Sequence, residues 1–216
     1  MKIHIVSTGR SGTTLLSNVA SHFGVIMDHQ QQGSRVLNIL ANMEYLGIMP
    51  SGVVMCYYKR FCDNNGVPRS TSDPLRSMAF LLWLRMQSSP RDIAVLHIVR
   101  DKKSFIDSFM RWKNSSVKRF VLHHIMPLWT PVNRPLEMMK AKGWLSKRDH
   151  FALVWERKNQ MFEEIKSLNV AKYQRISFED IVSGDEKSVQ TLAELFNVEE
   201  RKVSDLVKKL GKVNKS

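Results

Sequence analysis

In this 216-residue chain the side chains best suited to chemistry stand at Ser7-Thr8-Gly9-Arg10-Ser11-Gly12-Thr13-Thr14. Two glycines let the backbone turn sharply enough for successive N–H groups to converge on one point. Arg10 and the hydroxyls of Ser11, Thr13 and Thr14 add further donors. Donors gathered where a helix begins bind a phosphate or sulfate, because the helix N-terminus carries partial positive charge. The nucleotide-hydrolysing form of such a loop, G-x-x-x-x-G-K-[ST], needs a lysine to reach the β- and γ-phosphates. Aligned on Gly12, the lysine position holds Thr13 and the first glycine position holds Ser7. An ATPase or GTPase is therefore disfavoured. The dinucleotide fingerprint also fails, since no third glycine completes Gly9 and Gly12.

Arg100 and Ser108 form a second candidate anion site. Arginine offers a planar fork that matches phosphate oxygens, and serine can donate to the same group. The competing reading pairs Arg100 with a nearby acid and leaves Ser108 facing solvent.

Elements must carry both sets. Lys2-Ile3-His4-Ile5-Val6 reads as a short buried strand, and an apolar helical period begins at Leu15-Leu16. Ile93 to Val99 is a nearly continuous apolar run, as a central parallel strand covered on both faces requires. Asp101 follows as a helix cap. With Arg100 ending a strand beside the cradle strand, the two anion sites meet along the carboxyl edge of one sheet, where open α/β sheets bind ligands. Further strands are expected at Gly24–Met27, 52–58 and 172–176. Further helices are expected at 34–46, 74–87, 115–126, 186–196 and 199–210, with a long one opened by a capping box at Ser146. Residues 127–143, with three prolines, read as an excursion or lid. Strands alternating with helices predict an α/β fold, three-layered around a mostly parallel sheet, as a single domain over 1–216.

Charge is the unusual feature of the composition: 33 basic against 20 acidic residues give +13, which favours anionic partners. Cys56 and Cys62 cannot form a disulfide framework and suit a reducing compartment. The histidines show no metal-ligand spacing, so no metal site is expected. The most apolar run, 78–84, is far short of the ~20 residues that span a bilayer. A first strand starting at residue 2 leaves no room for a signal peptide, and a soluble, cytoplasmic protein is expected.

Val6 to Leu16, VSTGRSGTTLL, resembles the 5′-phosphosulfate-binding loop of sulfotransferases that use 3′-phosphoadenosine 5′-phosphosulfate (PAPS). The stretch from Val99-Arg100-Asp101 to Ser108 is similar to their 3′-phosphate motif, with the same Arg-to-Ser spacing. Residues 151–155 and 175–181 resemble a later helix and a strand-to-helix turn of bacterial members. The resemblance implies a sulfotransferase-like fold with a P-loop-like strand–loop–helix. It implies PAPS as co-substrate, adenosine 3′,5′-bisphosphate as product, and no metal. It carries Arg10, Ser11, Gly12, Thr13 and Thr14 onto the 5′-phosphosulfate, and Arg100 and Ser108 onto the 3′-phosphate. Arg10 stands where cytosolic members have lysine. Their C-terminal glycine-and-lysine motif is not evident here, with Lys212 or Lys215 as candidate substitutes.

An acceptor hydroxyl or amine attacking sulfur must lose a proton, which calls for a general base. By position Asp28 and His29 are the first choices, and Asp73 and Glu44 are fallbacks. His97, inside a buried strand, reads as a core histidine. The acceptor is a carbohydrate, lipid, small molecule or peptide, and the net charge points to an anionic one. Trp129 and Trp144 are candidates for stacking on it. A P-loop small-molecule kinase stays open as an alternative. Nucleic-acid binding is disfavoured: residues 100–119 hold seven basic and two acidic side chains, but no nucleic-acid motif accompanies them.

Overall fold

The computed structural model describes residues 1–9, 11–25, 27, 34–45, 47–65, 76–87, 90–117 and 147–213. A strand β1 (Lys2–Ser7) leads through the glycine loop into α1 (Thr13–His22). Three helices follow, α2 (Ser34–Tyr45), α3 (Ser51–Asn65) and α4 (Ser77–Arg85). Then come β2 (Ile93–Val99), α5 (Lys102–Asn114) and α6 (Lys147–Glu163), which tightens into a 3-10 turn at Glu164–Ser167. The chain continues with β3 (Lys172–Ser177), α7 (Phe178–Ser183), α8 (Glu186–Phe196) and α9 (Glu200–Val213).

The described strands form one parallel sheet in the order β1-β2-β3, with β2 central. Lys2 pairs with Ile93 and Ser7 with Ile98, while Ala94 pairs with Lys172 and Val99 with Ser177. All three strands therefore end at the same edge. Side chains alternate along a strand, and the alternation builds two cores. Ile3, Ile5, Ala94, Leu96 and Ile98 pack with α1, α8 and α9 on one face. Val6, Ile93 and Val95 pack with α2, α3, α4 and α6 on the other. The architecture is α/β with helices on both faces of a small open parallel sheet.

Two expected strands are corrected. Residues 52–58, rich in β-branched and aromatic side chains, lie within α3. Val54, Tyr58 and Phe61 are buried there at helical spacing, and Val53 N–H donates to the Pro50 carbonyl at 3.1 Å. Burying one helical stripe outweighs the local strand preference. Gly24–Met27 is not a strand in its described part: Gly24 adopts φ 75°, and Val25 N–H returns to the Ala20 carbonyl at 2.9 Å, closing α1 with a left-handed cap. The expected features at 66–75, 118–146 and 214–216 lie outside the described residues.

Candidate functional site

The loop between β1 and α1 is held by its own hydroxyls. Gly9 N–H donates to Ser7 Oγ at 3.2 Å, and Ser11 Oγ donates to the Gly9 carbonyl at 3.0 Å. Thr8 and Ser11 hydroxyls lie 3.3 Å apart. Gly9 and Gly12 take φ of 86° and 79°, which a side-chain-bearing residue seldom adopts. From the side, Ser7 N–H donates to Ser77 Oγ at 3.3 Å, fastening the start of α4 to the end of β1.

Ser11 and Thr13 are buried and Thr14 is exposed. The Ser11 hydroxyl therefore serves to shape the loop. No side chain caps α1, and its first turn holds no acid. The start of α4 likewise has no side-chain cap, whereas α5, α7 and α8 are capped by Asp101, Ser177 and Asp185. The start of α1 thus sits behind a left-handed glycine with no side-chain cap. Arg10, Asp28 and His29 lie outside the described residues, as do Asp73, Trp129 and Trp144.

Parallel pairing of β1 with β2 sets Arg100 at the same edge as this loop. The Arg100 guanidinium lies 5.1 Å from the centre of the Phe178 ring. The same ring also lies against Gly12, where an added Cβ would overlap Phe178 Cε2 and Cδ2 and stand 3.2 Å from Cζ. The cradle glycine and the arginine thus share one phenyl ring as a neighbour. Arg100 Nε is 3.9 Å from Glu179 Oε1, so the acid pairing considered for this residue exists. The Glu179 carboxylate also accepts from Asp101 N–H at 3.0 Å and from Ser177 Oγ at 3.2 Å through Oε2. Behind, Trp155 Nε1 donates to the Arg100 carbonyl at 2.8 Å.

Burial lowers the Arg100 proton affinity, Glu179 opposes the shift, and Arg111 adds to it. Arg111 stands three positions beyond Ser108, so the two share a face of α5. Ser108 itself is buried. Asp101 accepts from Ser104 N–H at 2.8 Å, and this bond holds its carboxyl below the usual range. Asp101 and Glu179 at this edge are thus engaged, one in a helix cap and the other with Arg100.

Other expected residues fall elsewhere. His97 is fully buried between Tyr173 Oη at 2.8 Å from Nδ1 and Asn159 Oδ1 at 2.9 Å from Nε2, as a core histidine should be. Glu44 Oε1 accepts from Ser51 Oγ at 2.7 Å, where it joins α2 to α3. In the sequence Phe178 and Glu179 stand out only as part of the stretch 175–181 that resembles a strand-to-helix turn. Their meeting with Arg100 spans 78 positions for the Glu179 to Asp101 bond, beyond any local spacing rule. Among the described residues no cluster of His, Cys, Asp and Glu could hold a metal ion, and no helix is long and apolar enough to cross a membrane. Compared with family models, curated proteins and solved structures, the chain matches none of them.

Proposed function

We propose that this chain is a PAPS-dependent sulfotransferase. It moves a sulfuryl group to a hydroxyl or amine of an acceptor by in-line displacement. A bond forms from the acceptor oxygen or nitrogen to sulfur while the bond from sulfur to the 5′-phosphate oxygen breaks. Adenosine 3′,5′-bisphosphate leaves, and the acceptor proton passes to a base, for which Asp28 and His29 are the candidates by sequence position. The observation that carries this reading is that Gly12 of the cradle and the Arg100 guanidinium touch the same Phe178 ring. Two anion-binding groups that close together suit one small ligand with phosphate at both ends.

Each group has a task in this reading. The N–H groups at the start of α1, with Arg10, stabilise charge that grows on the leaving phosphate. Arg100 and Ser108 hold the 3′-phosphate and so fix the donor for attack, since orientation lowers the barrier. Charge spread over equatorial oxygens is met by fixed donors and an arginine, as in phosphoryl transfer.

The deciding experiment incubates the protein with sulfur-labelled PAPS and a mixed panel of glycans, lipids, phenols and peptides. Label transfer, with thermal stabilisation by adenosine 3′,5′-bisphosphate, is the expected result. Stabilisation by ATP with magnesium and none by the bisphosphate would replace this reading with a kinase.

A further inference from the structure

We infer that Glu179 and Phe178 are positioning residues that aim Arg100, and that this aim makes the protein select nucleotides carrying a 3′-phosphate. The inference rests on the proposed donor site and adds the device that sets its selectivity. Arginine has several rotatable bonds, and ordering it on binding costs conformational entropy. Here much of that ordering is built in before any ligand arrives. Phe178 supplies a ring face beneath the guanidinium at 5.1 Å, a distance at which the cation is attracted to the ring. The ring is itself packed against Gly12, which limits its movement toward the loop.

Glu179 acts from the next position along the chain. Its Oε2 accepts from the backbone N–H of Asp101 at 3.0 Å and from Ser177 Oγ at 3.2 Å, so the carboxylate is fixed to the residue that follows Arg100. That leaves Oε1 facing Arg100 Nε at 3.9 Å. The pair is partly solvated and too long for a hydrogen bond, so its attraction is modest and its use is directional. Trp155 holds the Arg100 carbonyl from the other side at 2.8 Å. Backbone, ring and carboxylate together restrict where the guanidinium can point.

The test compares binding of adenosine 3′,5′-bisphosphate and of AMP, which lacks the 3′-phosphate, by calorimetric titration. Wild type, Glu179→Gln, Phe178→Leu and Arg100→Ala are measured, each checked for a cooperative melt. Wild type should prefer the bisphosphate, and Arg100→Ala should lose that preference. Glu179→Gln keeps a hydrogen-bond acceptor for Asp101 N–H yet should reduce the preference about fivefold. Phe178→Leu should reduce it as well, and AMP affinity should hardly change in either variant. A general structural defect would instead weaken both ligands together, and that result overturns the inference. An unchanged or increased preference in Glu179→Gln also overturns it, since Glu179 would then only compete with phosphate for Arg100. Wild type binding neither nucleotide would overturn the donor-site reading itself.

Discussion

Phe178 packs on Gly12 so closely that position 12 has room for hydrogen alone. The ring's Cζ would stand 3.2 Å from an added Cβ, and two further ring carbons would overlap it. Gly12 also holds φ at 79°, where a side chain is strained whatever the space around it. Gly12→Ala is therefore expected to cost roughly 1–3 kcal/mol of stability. Urea denaturation of Gly12→Ala, with and without a second Phe178→Ala change, separates the two causes. The double variant should recover the part due to overlap and keep the part due to φ. A Gly12→Ala protein as stable as wild type would mean that neither the overlap with Phe178 nor the left-handed φ costs anything at this position.

The two arginines should divide the kinetics between them. Arg10→Ala removes charge from the group that changes during the reaction, so kcat should fall by about 10²–10³. Arg100→Ala removes binding present before and during the reaction, so KM for PAPS should rise more than kcat falls. Steady-state rates with varied donor concentration read both effects. Equal kcat for Arg10→Ala and wild type would remove Arg10 from the mechanism.

Acid should destabilise the fold over a defined window. Burial holds His97 down at about 4 despite the hydrogen bond from its ring to Asn159, and burial with Arg76 nearby holds His4 at about 3. Both start from 6.5 in the unfolded chain. Between pH 6.5 and 4 the unfolded state takes up protons that the folded state refuses, so stability falls as pH falls. Well above 6.5 both rings are neutral in either state and the effect fades. On the order of 2–3 kcal/mol for each histidine is at stake across the window. Urea midpoints at pH 7.5, 6 and 5 should decline steadily. Midpoints that stay level over that range would show that the rings titrate normally.

His4 can be examined alone. Its ring stacks on Phe80 with centroids 4.2 Å apart and planes within 5°, while neither ring nitrogen has a hydrogen-bond partner among the described residues. Buried polar atoms in that state cost about 1–3 kcal/mol. His4→Phe keeps a ring against Phe80 and removes those atoms, so the variant should melt higher at neutral pH and lose part of the acid sensitivity. A lower melting temperature would show that the imidazole nitrogens make contacts worth more than their burial costs.

Local patterns along the chain were enough for much of this architecture. Ile3, Ile5 and Val6 and the nearly continuous apolar run at 93–99 specify buried strands because a strand covered on both faces must be mostly apolar. Asp101 and Ser177 announce helix starts because a side-chain oxygen satisfies backbone N–H groups two or three positions ahead. The glycine-hydroxyl loop and the Arg100 to Ser108 spacing likewise depend on near neighbours. The place of β3 on the far side of β2, the helical state of 52–58 and the grip of Phe178 and Glu179 on Arg100 came from the folded chain. Each arises from burial against segments distant in sequence: Val54, Tyr58 and Phe61 turn inward because α2 and α4 await them, and Phe178 reaches Gly12 because β3 ends beside β2. Sequence spacing carries contacts within a turn or two of chain; contacts across the sheet exist only once packing has chosen which strands are neighbours.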